Sequence, residues 1–313
     1  MATILITHGI PAEGFDGLAG HTLIIPPPLT AFTMEELRRH IEKANAVVAC
    51  GKLPGEIISA GKNVRIIANY GAGYDGVDVA TAACCGIPVT NIPQTVTHST
   101  AELAIALMLA VSRRIGELNL RLRREPAASL FGMGLHMGRC VRGQTLGIIG
   151  CGRIGVQVAC IAKALGMRVL GYDPLGADPA IFTPCALEVL LREADVISLH
   201  CPLTEATRGL LDRKAFAQMK KGAVLINTAR GPIVDTSALV QAIAQGRLAG
   251  AGLDVYPDEP HIPESLLQSD RVVCTPHIGA NTEQTRLEMA RACAEQILAV
   301  LAGKRPENIV NGL

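Results

Sequence analysis

The strongest constraint on this chain is the turn Gly150-Cys151-Gly152-Arg153-Ile154-Gly155 and what flanks it. The apolar run Thr145 to Ile149 reads as a strand that ends in the glycine turn. Beyond it, Ile154, Val158, Ile161 and Leu165 fall at i, i+4, i+7 and i+11, one apolar face of a helix, with Gly166 placed to stop it. A second apolar run, 167–172, ends at Asp173. Strand, tight turn, helix, strand, acid is the order that a dinucleotide-binding βαβ unit requires.

Each part of that unit has a physical job. Gly150 permits the turn, Gly152 lets backbone approach a pyrophosphate, and Gly155 lets helix and strand pack closely. The helix start at Arg153 and Ile154 offers unpaired N–H groups and the positive end of a dipole. Asp173, in reach of ribose hydroxyls, would repel a 2′-phosphate and so favours NAD over NADP. The same spacing of glycines recurs at Gly71, Gly73 and Gly76, after the apolar stretch 64–69. There the following helix, 77–85, is short, and the next strand, 88–91, ends without an acid. Only the later copy has the full nucleotide-binding context.

The 313 residues are enough for two domains, and the 49% hydrophobic share is ample for their cores. A formal net charge of +1 without long runs of like charge disfavours nucleic acid as a partner. The arginines of 121–124 read as a solvated helix face. Residues 1–6 read as a first strand rather than a leader, and the apolar helix candidate 103–111 is too short to cross a bilayer. The ten cysteines form no C-x-x-C pair, which points to small buried residues in a reducing cytosol and to no metal site.

Strands are expected at 4–7, 22–25, 46–49, 64–68 and 88–91, with helices between. One of these, 34–44, is capped by Thr33 with Glu36 three residues on. Such alternation means a parallel sheet covered on both faces. A long Ala/Leu-rich helix, 99–114, is apolar nearly all round and must be buried on several sides, as a connector or a subunit interface. Residues 125–143 have no clear period. From 145 onward six strands follow, at 145–149, 168–172, 196–200, 223–227, 250–254 and 272–275, with a helix at 237–244. The fold class expected is α/β with two doubly wound parallel-sheet domains: a Rossmann NAD domain and a smaller flavodoxin-like substrate domain. The tail helix, 283–301, is expected to cross back. The substrate domain is then discontinuous, 1–97 with 287–313, around an NAD-binding domain at 98–286.

Three stretches close predicted strands at the edge where open α/β sheets bind ligands. They carry Arg230, Glu259 and His277. Hydride transfer to a 2-keto acid needs a cation for the carboxylate, a proton donor for the developing alkoxide, and a partner that keeps the donor charged. Arg230 suits the first role through its planar fork. His277 suits the second. Glu259 suits the third, because a carboxylate favours the imidazolium.

At these residues the chain resembles the D-isomer-specific 2-hydroxyacid dehydrogenase family. The resemblance runs through the glycine turn with Tyr172-Asp173-Pro174, then 227–230, 252–260 and 275–280. It implies that Arg230 binds substrate, that His277 is the acid/base and that Glu259 is its partner. It further implies that Gly71, Ala72 and Gly73 form a loop whose N–H groups hold the substrate carboxylate. Arg153 and Ile154 are similar to pyrophosphate contacts. Cys201, Pro202 and Thr207 resemble positions lining adenine and ribose, and Thr228 and Asp254 resemble positions near the nicotinamide. Family members are generally homodimers pairing through the region after residue 97. A tryptophan often found before the glycine turn is missing, and the regulatory domain of some relatives is not expected here. The implied activity is interconversion of small 2-keto and D-2-hydroxy acids. Glyoxylate or hydroxypyruvate, pyruvate, a larger keto acid, and 3-phosphoglycerate with Lys52 as its extra cation all stay open. A non-metabolic NAD(H)-sensing corepressor on the same scaffold is the rival from another class.

Overall fold

The computed structural model describes residues 1–313, which fold into two compact units. The first comprises Met1–Val96 and Ala280–Leu313, the second Thr97–Gly279. The first begins with β1 (Thr3–Ile6), β2 (Thr22–Ile24), α1 (Met34–Ile41), β3 (Ala46–Ala49), α2 (Gly55–Ala60), β4 (Ile67–Asn69), α3 (Val79–Cys84) and β5 (Val89–Thr90). The helix expected over 34–44 starts where its capping signal put it: Thr33 Oγ1 accepts from Glu36 N, and the Glu36 carboxylate accepts from Thr33 N.

The five strands are all parallel, in the order β2-β1-β3-β4-β5. Their apolar residues alternate between two cores, as the pleat requires. Leu5, Val47, Ala49, Ile67 and Val89 meet Leu37, Ile41, Ile57 and Ile58 of α1 and α2 on one face. Burying aliphatic side chains of this size contributes about 1.5–3 kcal/mol each.

The second unit opens with α4 (Thr97–Ser112) and α5 (Ile115–Arg124). Between α5 and residue 145 the only regular piece is a 3-10 turn, Ala127–Leu130. There follow β6 (Thr145–Ile149), α6 (Arg153–Ala164), β7 (Arg168–Tyr172), β8 (Thr183–Pro184), α7 (Leu187–Glu193) and β9 (Val196–Leu199). The unit closes with α8 (Arg213–Gln218), β10 (Ala223–Asn227), α9 (Thr236–Ala244), β11 (Leu248–Leu253), α10 (Glu264–Leu267) and β12 (Val272–Cys274). Seven parallel strands run β12-β11-β10-β9-β6-β7-β8, so the order reverses at β6, the usual ligand position of a doubly wound sheet. The sequence accounts for six of them. β8 is two exposed residues with no apolar run to announce it.

α4 is apolar all round because its own unit covers most of it. Ala101, Ala104, Leu107 and Met108 pack with Val158 and Ala162 of α6 and with Ile148 and Ile226 of the sheet. Gly252 permits the approach, since a Cβ there would lie 2.8 Å from that of Leu107. The chain then returns to the first unit as α11 (Glu283–Leu301), whose Met289, Cys293 and Ile297 cover the second face of that sheet against Ile4, Ile6, Val48 and Ala68. No helix is long and apolar enough to cross a membrane.

Candidate active site

In the second unit the glycine turn joins β6 to α6. Gly150 has φ +98°, and a Cβ on it would meet the backbone of His200 and Cys201, where β9 ends. A Cβ on Gly155 would collide with Gly150 O. The protein's own packing therefore requires both. Gly152 differs, because nothing lies within 4 Å of a Cβ built on it, so the space above it is open. It is the N-cap of α6 and lends no side chain to the helix N-terminus. The N–H groups of the first turn stay available to an anion.

Asp173, one residue beyond β7, accepts from Cys151 N at 2.9 Å and from Leu175 N at 2.9 Å. It thus ties the second strand's end to the glycine turn, and each oxygen keeps a lone pair for a ligand. Cys151 and Cys201 both feel the Asp173 charge as well as their burial. Burial pushes the Cys151 thiol up to about 12 and that of Cys201 to about 11, so both stay protonated and apolar in character. Thr207 Oγ1 is spent on its own loop, donating to Pro202 O at 2.6 Å and accepting from Thr204 N at 2.8 Å. At the end of β10, Thr228 Oγ1 is buried with no partner. An orphaned hydroxyl there, with open space at Gly152 and free N–H groups on α6, fits a dinucleotide lying across the strand ends.

Arg230, Glu259 and His277 all belong to this unit, on the loops that follow β10, β11 and β12. Asn227, 1% exposed, braces the first loop by donating to Arg230 O at 2.9 Å and accepting from Ala229 N at 3.0 Å. Gly231 lets that loop lie against the second, since a Cβ would collide with the backbone of Tyr256 and Pro257. Glu259 Oε1 accepts from Tyr256 N at 2.9 Å, and Oε2 lies 2.6 Å from His277 Nδ1. Burial alone would raise the Glu259 pKa. The hydrogen bonds from His277 and Tyr256, with the positive charges of His277 and Arg230, outweigh it and hold the carboxyl below its ordinary value.

His277 sits at φ +52°, a left-handed conformation that costs a β-carbon residue about 1 kcal/mol. Asp254, 1% exposed, holds it there. Its backbone oxygen accepts from His277 N at 2.9 Å, while its carboxylate accepts from Thr275 Oγ1 (2.6 Å), Ile278 N (2.8 Å) and Gly279 N (2.9 Å). Sequence reasoning linked Asp254 to the nicotinamide; in the structure these four bonds bind the His277 loop. It gave no role to Asn227 or to His200, whose shielded Nδ1 has no partner. Only the position of Asn227 at a strand end could have signalled it.

In the first unit Gly71, Ala72 and Gly73 form the loop after β4, partly or fully exposed. Tyr74, next to it, is 38% exposed. No group of three or more His, Cys, Asp or Glu is placed to hold a metal.

Residues 105–279 match the NAD-binding domain of the D-isomer specific 2-hydroxyacid dehydrogenases. The glyoxylate reductase of Korarchaeum cryptofilum (strain OPF8) is 37% identical over 322 positions, covering 98% of this chain and 95% of that one. The D-3-phosphoglycerate dehydrogenase of Archaeoglobus fulgidus is 39% identical over 98% of this chain, which spans 59% of that protein. The crystal structure of a protein from Thermus thermophilus superposes with a TM-score of 0.90 at 40% identity, covering 98% of this chain and 99% of that one. The chain therefore belongs to the D-isomer specific 2-hydroxyacid dehydrogenase family, as an NAD-dependent oxidoreductase whose nucleotide-binding domain contains the glycine turn.

Proposed function

We propose that the protein reduces small 2-oxo acids of the glyoxylate and hydroxypyruvate class to D-2-hydroxy acids. The observation that carries this reading is the 2.6 Å contact between His277 Nδ1 and Glu259, with the charge of Arg230 bearing on the same carboxylate. Because Nδ1 faces Glu259, Nε2 is the ring atom left for the 2-oxo oxygen. His277 gives its proton there from Nε2, and Glu259 stabilises the imidazolium beforehand and keeps the ring oriented through Nδ1–H afterwards. Arg230 grips the carboxylate and polarises the adjacent carbonyl. NADH, when bound, supplies the hydride. Gly152, Arg153 and Ile154 receive the pyrophosphate, and Asp173 the adenine ribose. Cys201, Pro202 and Thr207 border the adenosine, Thr228 faces the nicotinamide, and Asp254 acts there through the His277 loop. Gly71, Ala72 and Gly73 add N–H donors to a carboxylate.

Loss of NADH absorbance with a panel of 2-oxo acids tests the reading. Turnover of glyoxylate and hydroxypyruvate is expected, and His277→Ala should lower kcat by ~10²–10⁴-fold with NADH affinity kept. Absence of turnover with every acid, with NADH still bound, would favour a sensor of the corepressor kind. A second reading, oxidation of 3-phosphoglycerate, is favoured by Lys52. This exposed cation precedes Leu53, whose N–H bonds Gly76 O at 2.8 Å, just past the 71–73 loop. Reduction of NAD by that substrate is its test.

The assembly we infer is a homodimer paired through α5 and residues 125–143. Ile115, Leu122, Phe131, Met133 and Met137 there are 51–104% exposed, more apolar surface than one segment ordinarily leaves in water. Ten free cysteines suit a reducing compartment, the cytosol.

A further inference from the structure

In the first unit two asparagine amides hold three consecutive carbonyls. Asn69 Nδ2 donates to Gly71 O and Gly73 O, both at 3.0 Å, and Asn91 Nδ2 donates to Ala72 O at 2.7 Å. Asn69 ends β4 and Asn91 follows β5, each one residue past the paired Ala68 and Thr90. The two side chains thus stand side by side under the loop. Asn91 is itself anchored, because its carbonyl accepts from Gln296 Nε2 of α11 at 3.1 Å, and Gln296 Oε1 accepts from Thr90 Oγ1 at 2.5 Å. Asn69, Thr90 and Gln296 are buried at 4%, 0% and 8% exposure. A buried amide network of this kind is costly unless its donors are used; here Asn69 donates twice to the loop, Thr90 donates to Gln296, and Gln296 donates to the Asn91 carbonyl.

The consequence follows from peptide geometry. In a trans peptide the C=O of one residue and the N–H of the next point in opposite directions. With the carbonyls of 71, 72 and 73 drawn toward the asparagines, the N–H groups of Ala72, Gly73 and Tyr74 point away from them. None of the three donates to any acceptor in the chain. Three successive free N–H groups on one side of a loop make a concave anion site.

We propose that Asn69 and Asn91 are positioning residues that hold this loop in its anion-binding form, a reading that rests on 71–73 receiving the substrate carboxylate. They touch no substrate. They fix the backbone in advance, so that binding spends less on ordering it.

The test uses the NADH-bound protein, oxamate as an unreactive 2-oxo acid analogue, and Asn91→Ala, Asn91→Asp and Asn69→Ser. Asn91→Ala removes one amide from a half-buried side chain and is the variant least exposed to misfolding. The glyoxylate KM and the oxamate Kd should rise together ~10-fold, with kcat within about threefold and NADH Kd and Tm unchanged. Asn91→Asp keeps the shape and loses the donor, so it should lose at least as much as Ala. Oxamate affinity that stays at the wild-type value while Tm drops would reduce both residues to braces of the fold and overturn the proposal. So would a loss of NADH affinity in step with that of oxamate. If the wild-type protein turns over 2-oxo acids and binds oxamate but the variants match it, the clamp alone fails. If the wild-type holoenzyme does neither, the carboxylate reading of the loop fails first and the clamp falls with it.

Discussion

Glu259 Oε2 lies 2.6 Å from His277 Nδ1, and the same carboxyl is held below its usual pKa although burial pushes it the other way. The pair is an ion pair whenever the imidazole is protonated, with the histidine 50% and the glutamate 33% exposed. Replacing Glu259 by Gln keeps the size and removes the charge. The imidazole then loses the carboxylate that holds Nδ1 and orients the ring. The rate at neutral pH should drop ~10–100-fold. A Glu259→Gln rate within about threefold of wild type would remove the carboxylate from the proton-donor argument.

The three glycines of the turn should fail differently when each becomes alanine. Gly150 is at positive φ against the backbone of His200 and Cys201, and Gly155 faces Gly150 O, so both changes should lower Tm. Gly152 has open space around it, so Gly152→Ala should fold with Tm near wild type and lose NADH affinity by ~10-fold or more. Titration of NADH by fluorescence, beside thermal unfolding, separates the two outcomes. Unchanged NADH affinity in Gly152→Ala would move the pyrophosphate elsewhere.

Asp173 presents its carboxylate to the glycine turn, and a 2′-phosphate brought there would meet a like charge. Asp173→Asn should therefore lower the ratio of kcat/KM for NADH over NADPH by ~10-fold. Asn keeps only one of the two oxygens that accept from Cys151 N and Leu175 N, so one of these bonds is lost and Tm should fall by a few degrees while the fold is kept. A ratio that stays at its wild-type value would leave cofactor preference to other residues.

What the sequence made legible follows from which contacts are local. Parallel strands covered on both faces read as unbroken apolar runs, so β1, β3, β6 and β10 were plain. The jobs of Gly150 and Gly155 are backbone geometry within one turn. The clamp of Asn91 on Ala72 spans 19 residues and joins two strands whose pairing no local pattern announces. An asparagine beside a glycine loop reads only as turn chemistry. Asp254 and Thr207 resemble ligand neighbours only by analogy, and the bonds by which they also fold their own loops are announced by no local pattern. The second crossing between units falls at Gly279 and Ala280, seven residues before the expected boundary at 286, at the short small and polar stretch that precedes α11.

His200 gives the protein an acid liability. Its ring is shielded, Nε2 pairs with Ser198 Oγ at 2.8 Å, Nδ1 has no partner, and burial pushes its pKa down to about 3. Above the ordinary histidine value of 6.5 the group is neutral folded or unfolded and costs nothing. Below it the unfolded chain takes up a proton that the folded protein refuses, so stability falls as pH drops toward the folded value. Between pH 6.5 and ~5 few carboxylates titrate, and the loss there should be traceable to His200 and to His8, whose pKa burial also lowers. His200→Asn should flatten the decline of the urea midpoint across that window without abolishing it. An equally steep decline in the variant would assign the acid sensitivity to other groups.

The exposed apolar segment after α5 makes the oligomeric state a sharp test. Phe131 is 78% and Met133 104% exposed, so neither supports the fold of its own chain. Phe131→Glu with Met133→Glu should leave the secondary structure intact. In a homodimer paired through this segment, the two charges must be buried at the interface, where an unpaired carboxylate costs several kcal/mol. Light scattering across a dilution series should then find a dimer for the wild type and a monomer for the double variant. A wild type that stays monomeric at tens of micromolar, or a double variant that stays dimeric, would place the pairing surface elsewhere or abolish it.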